Sequence, residues 1–343
     1  MKVIGEKSQT NDTEYWGDLI EEAQYYEAYS IWDHETCTRQ VYCGSDSKGN
    51  AKYRTETYDC SHMDYYSARW QVVTTTGWEI SVSQEFYNSL LKRFQKTPIF
   101  RDISHEGECG FGDHVVKDGD MYFAKWDGDP TKSYALAETH TYENKIQCSH
   151  SVFNYQDISE EEAAKEGLYD YPKVKNHEVV SILGGNGLPK LAEAEQKLRY
   201  LNGNLGPKKQ VRVWILVFIN KPISLGRDQE AYWKGGNKNE FVVTIGVDKT
   251  GRPTWCHPFS WTDVSELKIN TRNYVMEQKQ LNLNNLADYL HQELESKWKR
   301  KEFKEFSYLT VEPPAWALIV SFLIQLLFSV GYAIWAVKND FEN

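Results

Sequence analysis

This sequence predicts an α+β protein, with a strand-rich first half, an α/β second half and a single carboxyl-terminal transmembrane helix. Three observations predict it. Thr- and Tyr-rich stretches broken by Gly, Asn, Ser and Asp turns fill residues 14–155. Residues 156–306 instead mix helical periodicity with nearly continuous apolar runs. Residues 315–337, AWALIVSFLIQLLFSVGYAIWAV, carry no charge at all.

The first 13 residues are polar and read as a disordered acidic end. Residues 1–36 hold nine acidic side chains against Lys2 and Lys7. From Tyr15 to Tyr29 the pattern suits a helical or mixed segment. Two Thr/Tyr-rich runs then flank GSDSKGN, the signature of a long β-hairpin. ARWQVVTTT and GWEISV read as strands meeting at Gly77, and Ser81 with Gln84 opens a helix carrying Phe86, Leu90 and Phe94. Around Asp118-Gly119 a hairpin turn joins HVV to MYFAKW, and Asp127-Gly128 marks another turn. His105, Cys109 and His114 fall in a Gly-rich surface loop.

In the second half, Ser159 and Glu162 form a capping box, with Gly167 as the stop. Pro189 opens a helix that Gly203 ends. QVRVWILVFI (210–219) and FVVTIGV (241–247) are the strongest buried strands, and PTWCHPFSW follows as a third. A long helix over 284–303 places Leu286, Tyr289, Leu290, Leu294 and Trp298 on one face. Residues 307–314 form a linker to the membrane span, and 338–343 a short tail.

The span would be roughly 35 Å long, enough for a bilayer core, with Trp316 and Trp335 near its ends. No apolar signal precedes it. Five basic residues lie in the twenty before the span, and only Lys338 follows it. The expectation is therefore a tail-anchored protein with its bulk in the cytoplasm. There the six cysteines stay reduced, and structural disulfides are not expected. The run from Lys297 to Lys304 would touch anionic lipid of the bilayer. Within the span Ala317, Ser321, Gln325, Ser329 and Ala333 recur every fourth residue, a stripe suited to self-association or to pairing with a partner's helix.

Net charge is -10 (39 basic, 49 acidic residues), which excludes a general nucleic-acid binder. Aromatics at 14% exclude wholesale disorder. No GxSxG, P-loop, HExxH, CxxC or GxGxxG occurs. Two candidate sites remain. The tripeptide CSH occurs twice, so Cys60, His62, Cys148 and His150, each pair on one strand face, offer two thiolates and two imidazoles to a zinc ion. Between the two strongest strands, Trp233, Lys234, Gly235, Gly236, Asn237 and Lys238 form a loop whose amides and lysines suit an anion.

From residue 210 to the span (210–330), the order QVRVWILVFI, WKGGNKNE, FVVTIGV and the helix ending KWKRKEFKEF resembles the TPM domain, named for a thylakoid-associated family widespread in bacteria. The resemblance implies a membrane-anchored domain and, because some members are phosphatases, a metal-assisted hydrolase. The chain departs from that family in lacking an export signal, and no nucleophile or metal ligand carries over. The expected function is a membrane-tethered interaction or scaffold role with a protein partner. A phosphatase-like hydrolase or a small-anion-binding regulatory module is the alternative.

Overall fold

A computed structural model describes residues 11–143, 155–174, 180–302, 305 and 315–338. Strands and helices are mixed in nearly equal parts, as an α+β chain requires. Two compact units divide the chain: Asp18–Leu136 is inserted between Met1–Gly17 and Ala137–Asn343.

The inserted unit is built on three segments that each run through two sheets. Its strands are β1 (Asn11–Tyr26, which begins in the other unit), β2 (Tyr29–Asp33), β3 (Thr36–Ser45), β4 (Ala51–Asp59), β5 (His62–Tyr66), β6 (Arg69–Thr74) and β7 (Glu79–Val82). Then come helix α1 (Gln84–Phe94), β8 (Ile99–Arg101), β9 (His114–Lys117), β10 (Met121–Lys125) and β11 (Ala135–Glu143, most of which belongs to the other unit). One sheet has the order β7-β6-β1-β10-β8, with β11 also on β1, and a second has the order β5-β2-β9. Thus β5-β2-β9 continues as β6-β1-β10, each segment breaking at 67–68, 27–28 or 118–120. The hairpin expected between HVV and MYFAKW does not form, because its two strands belong to different sheets. At the break a Cβ on Gly119 would stand 2.9 Å from the Glu27 carbonyl, so the chain there packs on the β1–β2 bend instead of turning back. The segment from Tyr15 is strand, not helix: Leu19, Ile20 and Ala23 are buried among β-sheet neighbours. Ile20, Ala23, Val72, Leu90, Phe94 and Leu136 form the core under α1. That helix is capped by Ser83, whose hydroxyl accepts from the Phe86 amide at 3.2 Å.

The other unit is a three-layer α/β arrangement. It contains α2 (Glu160–Glu166), β12 (Ile182–Gly184), α3 (Leu191–Lys209), β13 (Arg212–Ile219), α4 (Ser224–Tyr232), β14 (Glu240–Val247), β15 (Pro253–Ser260), α5 (Ser265–Met276) and α6 (Leu283–Lys297). The sheet order is β12-β13-β14-β15, with the first three strands parallel and β15 antiparallel. Val213, Ile215 and Val217 of β13 pack under α3 and α6, while Trp214, Leu216 and Phe218 face the opposite layer with Leu225 and Trp233. Burial on both faces is why β13 reads as an unbroken apolar run. The capping box of α2 is present on Ser159 and Glu162, and Gly167 closes it at φ 82°. By contrast α3 runs through Gly203 to Lys209. The last element, α7 (Ala315–Lys338), is a helix long and apolar enough to cross a membrane.

Candidate functional site

The 233–240 loop follows α4, whose last turn it extends. Lys234, Gly235 and Gly236 are all left-handed, with φ 52°, 79° and 72°. This turns their amides inward: Lys234 N donates to Ala231 O (3.1 Å), Gly235 N to Glu230 O (2.8 Å) and Gly236 N to Trp233 O (2.9 Å). Asn237 N donates to Glu240 Oε2 at 2.8 Å. Lys234 Nζ donates to Gln156 O (3.1 Å) and pairs with Asp157. Lys238 is buried with its ammonium 5.6 Å from the centre of the Trp261 ring. The amides of Lys234, Gly235, Gly236 and Asn237 are thus donated to groups of the protein itself.

A buried carboxylate organises this region. Glu240 is fully buried and accepts from Tyr171 Oη and, at 2.9 Å, Trp214 Nε1. Burial pushes its carboxyl above the usual range, against the pull of those donors, and raises the Tyr171 hydroxyl well above its ordinary value. A polar cleft of about 320 Å³ lies over this network, lined by Thr13, Tyr15, Tyr171, Trp233 and Asn237 among others. Tyr171 Oη also accepts from Asn237 Nδ2 at 3.1 Å, so Asn237, Tyr171 and Glu240 form one connected chain of hydrogen bonds beside the cleft.

In the inserted unit the strand breaks open a second cleft, of about 230 Å³, lined by Tyr26, Glu27, Tyr29, Tyr65, Tyr66 and Arg69 among others. Tyr29 is stacked between Tyr66 (4.3 Å) and His105 (3.6 Å). Its hydroxyl donates to Glu108 at 2.9 Å, and burial together with that carboxylate pushes it up to about 12. The Arg69 guanidinium lies 4.4 Å from the centre of the Tyr26 ring. His105 is thus a buried ring with Glu108 at 2.9 Å and Gly119 O at 3.0 Å, not part of a surface loop.

Among the described residues, β3 and β4 pair only with each other. Tyr42 and Tyr53 face each other across this hairpin, 58% and 61% exposed, while Tyr58 lies toward its base on the opposite face, with Arg39 over its ring. Asp46 shapes the turn by accepting from the amides of Lys48 and Asn50 at 2.8 and 2.9 Å. At the base, Cys37 is disulfide-bonded to Cys60. That bond overturns the expectation of reduced thiols: β3 and β4 pair Cys37 with Tyr58, which brings Cys60 alongside. It also corrects the zinc reading. Cys60 lies before β5, not on the same strand face as His62, and its sulfur is spent. Cys148 and His150 lie outside the described residues.

Three residues of the basic run that precedes the membrane helix in sequence make ion pairs. Lys297 pairs with Glu266 (2.7 Å) and Glu293 (2.9 Å), Arg300 with Glu14 (2.7 Å) and Glu302 (3.4 Å), and Lys301 with Asp263 and Glu305. Lys304 is outside the described residues. Lys299 of the same run is exposed.

Comparison of the chain with protein-family models, with curated proteins and with solved structures gives no match.

Proposed function

We propose that this is a single-pass, tail-anchored membrane protein whose folded region acts by binding a protein partner. The β3–β4 hairpin carries the reading. A two-stranded ribbon alone is marginal in water, yet this one is held by a disulfide and an Asp-centred turn and shows three tyrosines to solvent. Tyrosine gives a large apolar contact with a polar tip, which is why it is enriched at interfaces. A photoreactive residue in place of Tyr53 should give a discrete crosslinked species in cells, and adding Tyr42→Ser, directly opposite on the same face, should remove it. The same residue at exposed Ile269 on α5 is the control. Equal adducts at both positions would reject the hairpin as the binding surface.

The membrane helix adds a second contact. The stripe of Ala317, Ser321, Gln325, Ser329 and Ala333 lets another helix, from a second copy or a partner, approach closely, with Gln325 supplying a hydrogen bond worth about 0.6–2 kcal/mol. In an in-membrane association assay, Gln325→Leu should weaken pairing and Leu323→Ala should not. The charge bias supports a cytoplasmic folded region, whereas a disulfide favours an oxidising compartment. Exposed Cys43 decides between them. Protection from an impermeant maleimide in intact cells supports the cytoplasmic side, and labelling reverses it.

A further inference from the structure

Beside the disulfide, three metal-ligating side chains converge without a thiolate among them. Asp33 ends β2, and His62 begins β5. The register sets Asp33 directly opposite His62, and Ile31 opposite Asp64. Directly opposed residues share a sheet face, as do residues two apart on one strand. Asp33, His62 and Asp64 are therefore forced onto one face by the backbone alone. Their ligand atoms all lie within 4.8 Å of one another, and His62 Nε2 is 3.3 Å from Asp64 Oδ1.

The charge of this group is unbalanced. Among the described residues, neither carboxylate makes an ion pair with a lysine or arginine, and His62 Nε2 lies 3.3 Å from Asp64 Oδ1. Two carboxylates this close favour a cation between them. One imidazole and two carboxylates form a ligand set for a first-row divalent ion, with water completing the shell. Zinc bonds to nitrogen and carboxylate oxygen at about 2.0–2.2 Å. Half-exposed side chains on a paired sheet can close that far by rotation, with no backbone movement.

We infer that Asp33, His62 and Asp64 form a binding site for a divalent transition-metal ion, with zinc as the ion to test. The site retains His62 from the sequence reading and replaces the thiolates with carboxylates from the neighbouring strand. It would fasten β2 to β5 just below the β3–β4 hairpin.

The test uses the full chain in detergent micelles, stripped of metal and kept without reductant. Titration calorimetry with zinc chloride should show one ion per chain, and cobalt should give a visible spectrum of a site with mixed nitrogen and oxygen ligands. Asp33→Asn, His62→Gln and Asp64→Asn should each weaken binding at least about tenfold, the loss that even outer-shell partners of a metal can cause. Circular dichroism melts check that each variant is folded. Should His62→Gln fail to fold, the two Asp→Asn variants carry the test. Absence of binding by folded wild-type protein would overturn the site. So would zinc binding that survives all three substitutions but is lost in Cys37→Ser with Cys60→Ser, which would move the ion to the thiols.

Discussion

Cys256 shows how one buried side chain sets its own chemistry. It lies on β15 among Val243, Ile245 and Leu267, and burial pushes its thiol up to about 12. Only the thiolate attacks an alkylating reagent. At pH 8 the native protein should therefore alkylate Cys256 roughly a thousandfold more slowly than a free thiol of pKa near 8.5. Peptide mapping after timed iodoacetamide treatment checks this, with exposed Cys43 as the internal standard. Equal labelling before unfolding would mean that β15 opens. A second residue-scale case is Arg300, whose Nε and Nη2 both donate to Glu14 Oε2, at 3.0 and 2.7 Å, with the two side chains 7% and 1% exposed. Arg300→Met leaves the Glu14 carboxylate buried without its cation and should cost about 3–5 kcal/mol in denaturant unfolding. Adding Glu14→Gln should recover a large part of that loss. An unchanged midpoint in the single variant would show that the pair is dispensable.

At the scale of elements, α3 separates what sequence can say from what it cannot. Glycine is a helix stop in the absence of other information, so the sequence predicts an end at Gly203. Yet the helix continues, because Gly206 is needed where Gly17 crosses it: a Cβ there would stand 2.0 Å from the Gly17 carbonyl oxygen. Local propensity alone would make Gly206→Ala favourable by up to about 1 kcal/mol. Overpacking against a backbone costs about 1–3 kcal/mol, so the variant should melt at a lower temperature. A higher melting temperature would show that the crossing yields easily. The same limit explains the other differences. Signals that act within one turn, such as the Ser159–Glu162 box, and unbroken apolar runs, such as β13 and α7, were legible. The α5 helix was not, since Leu267, Thr271 and Val275 are buried on an otherwise polar helix. Nor was the metal triad, because Asp33 meets His62 only through the β2–β5 register, across 29 positions of sequence.

The whole molecule is one unit interrupted by another. Trp16 and His140, on either side of the insertion, stack at 3.5 Å, so the two chain crossings lie side by side. Replacing residues 18–136 with a short Gly/Ser linker should leave the α/β unit folded, with one cooperative thermal transition and the Cys256 protection intact. Residues 18–136 alone should retain the Cys37–Cys60 bond under oxidising conditions. Loss of cooperative melting in the linker variant would mean that the insertion is required for folding of its host.

The pairing of Glu14 with Arg300 also sets an order in time. The two residues are 286 positions apart, and a chain is synthesised from its amino end at about 5–20 residues per second. Glu14 leaves the ribosome early and stays without Arg300 for roughly fifteen seconds to a minute at those rates. The inserted unit emerges whole within that interval and is free to fold first. The edge of its host is left open meanwhile, and α7 follows soon after Arg300. A cell producing this protein must therefore shield an unfinished domain until shortly before it handles the membrane helix.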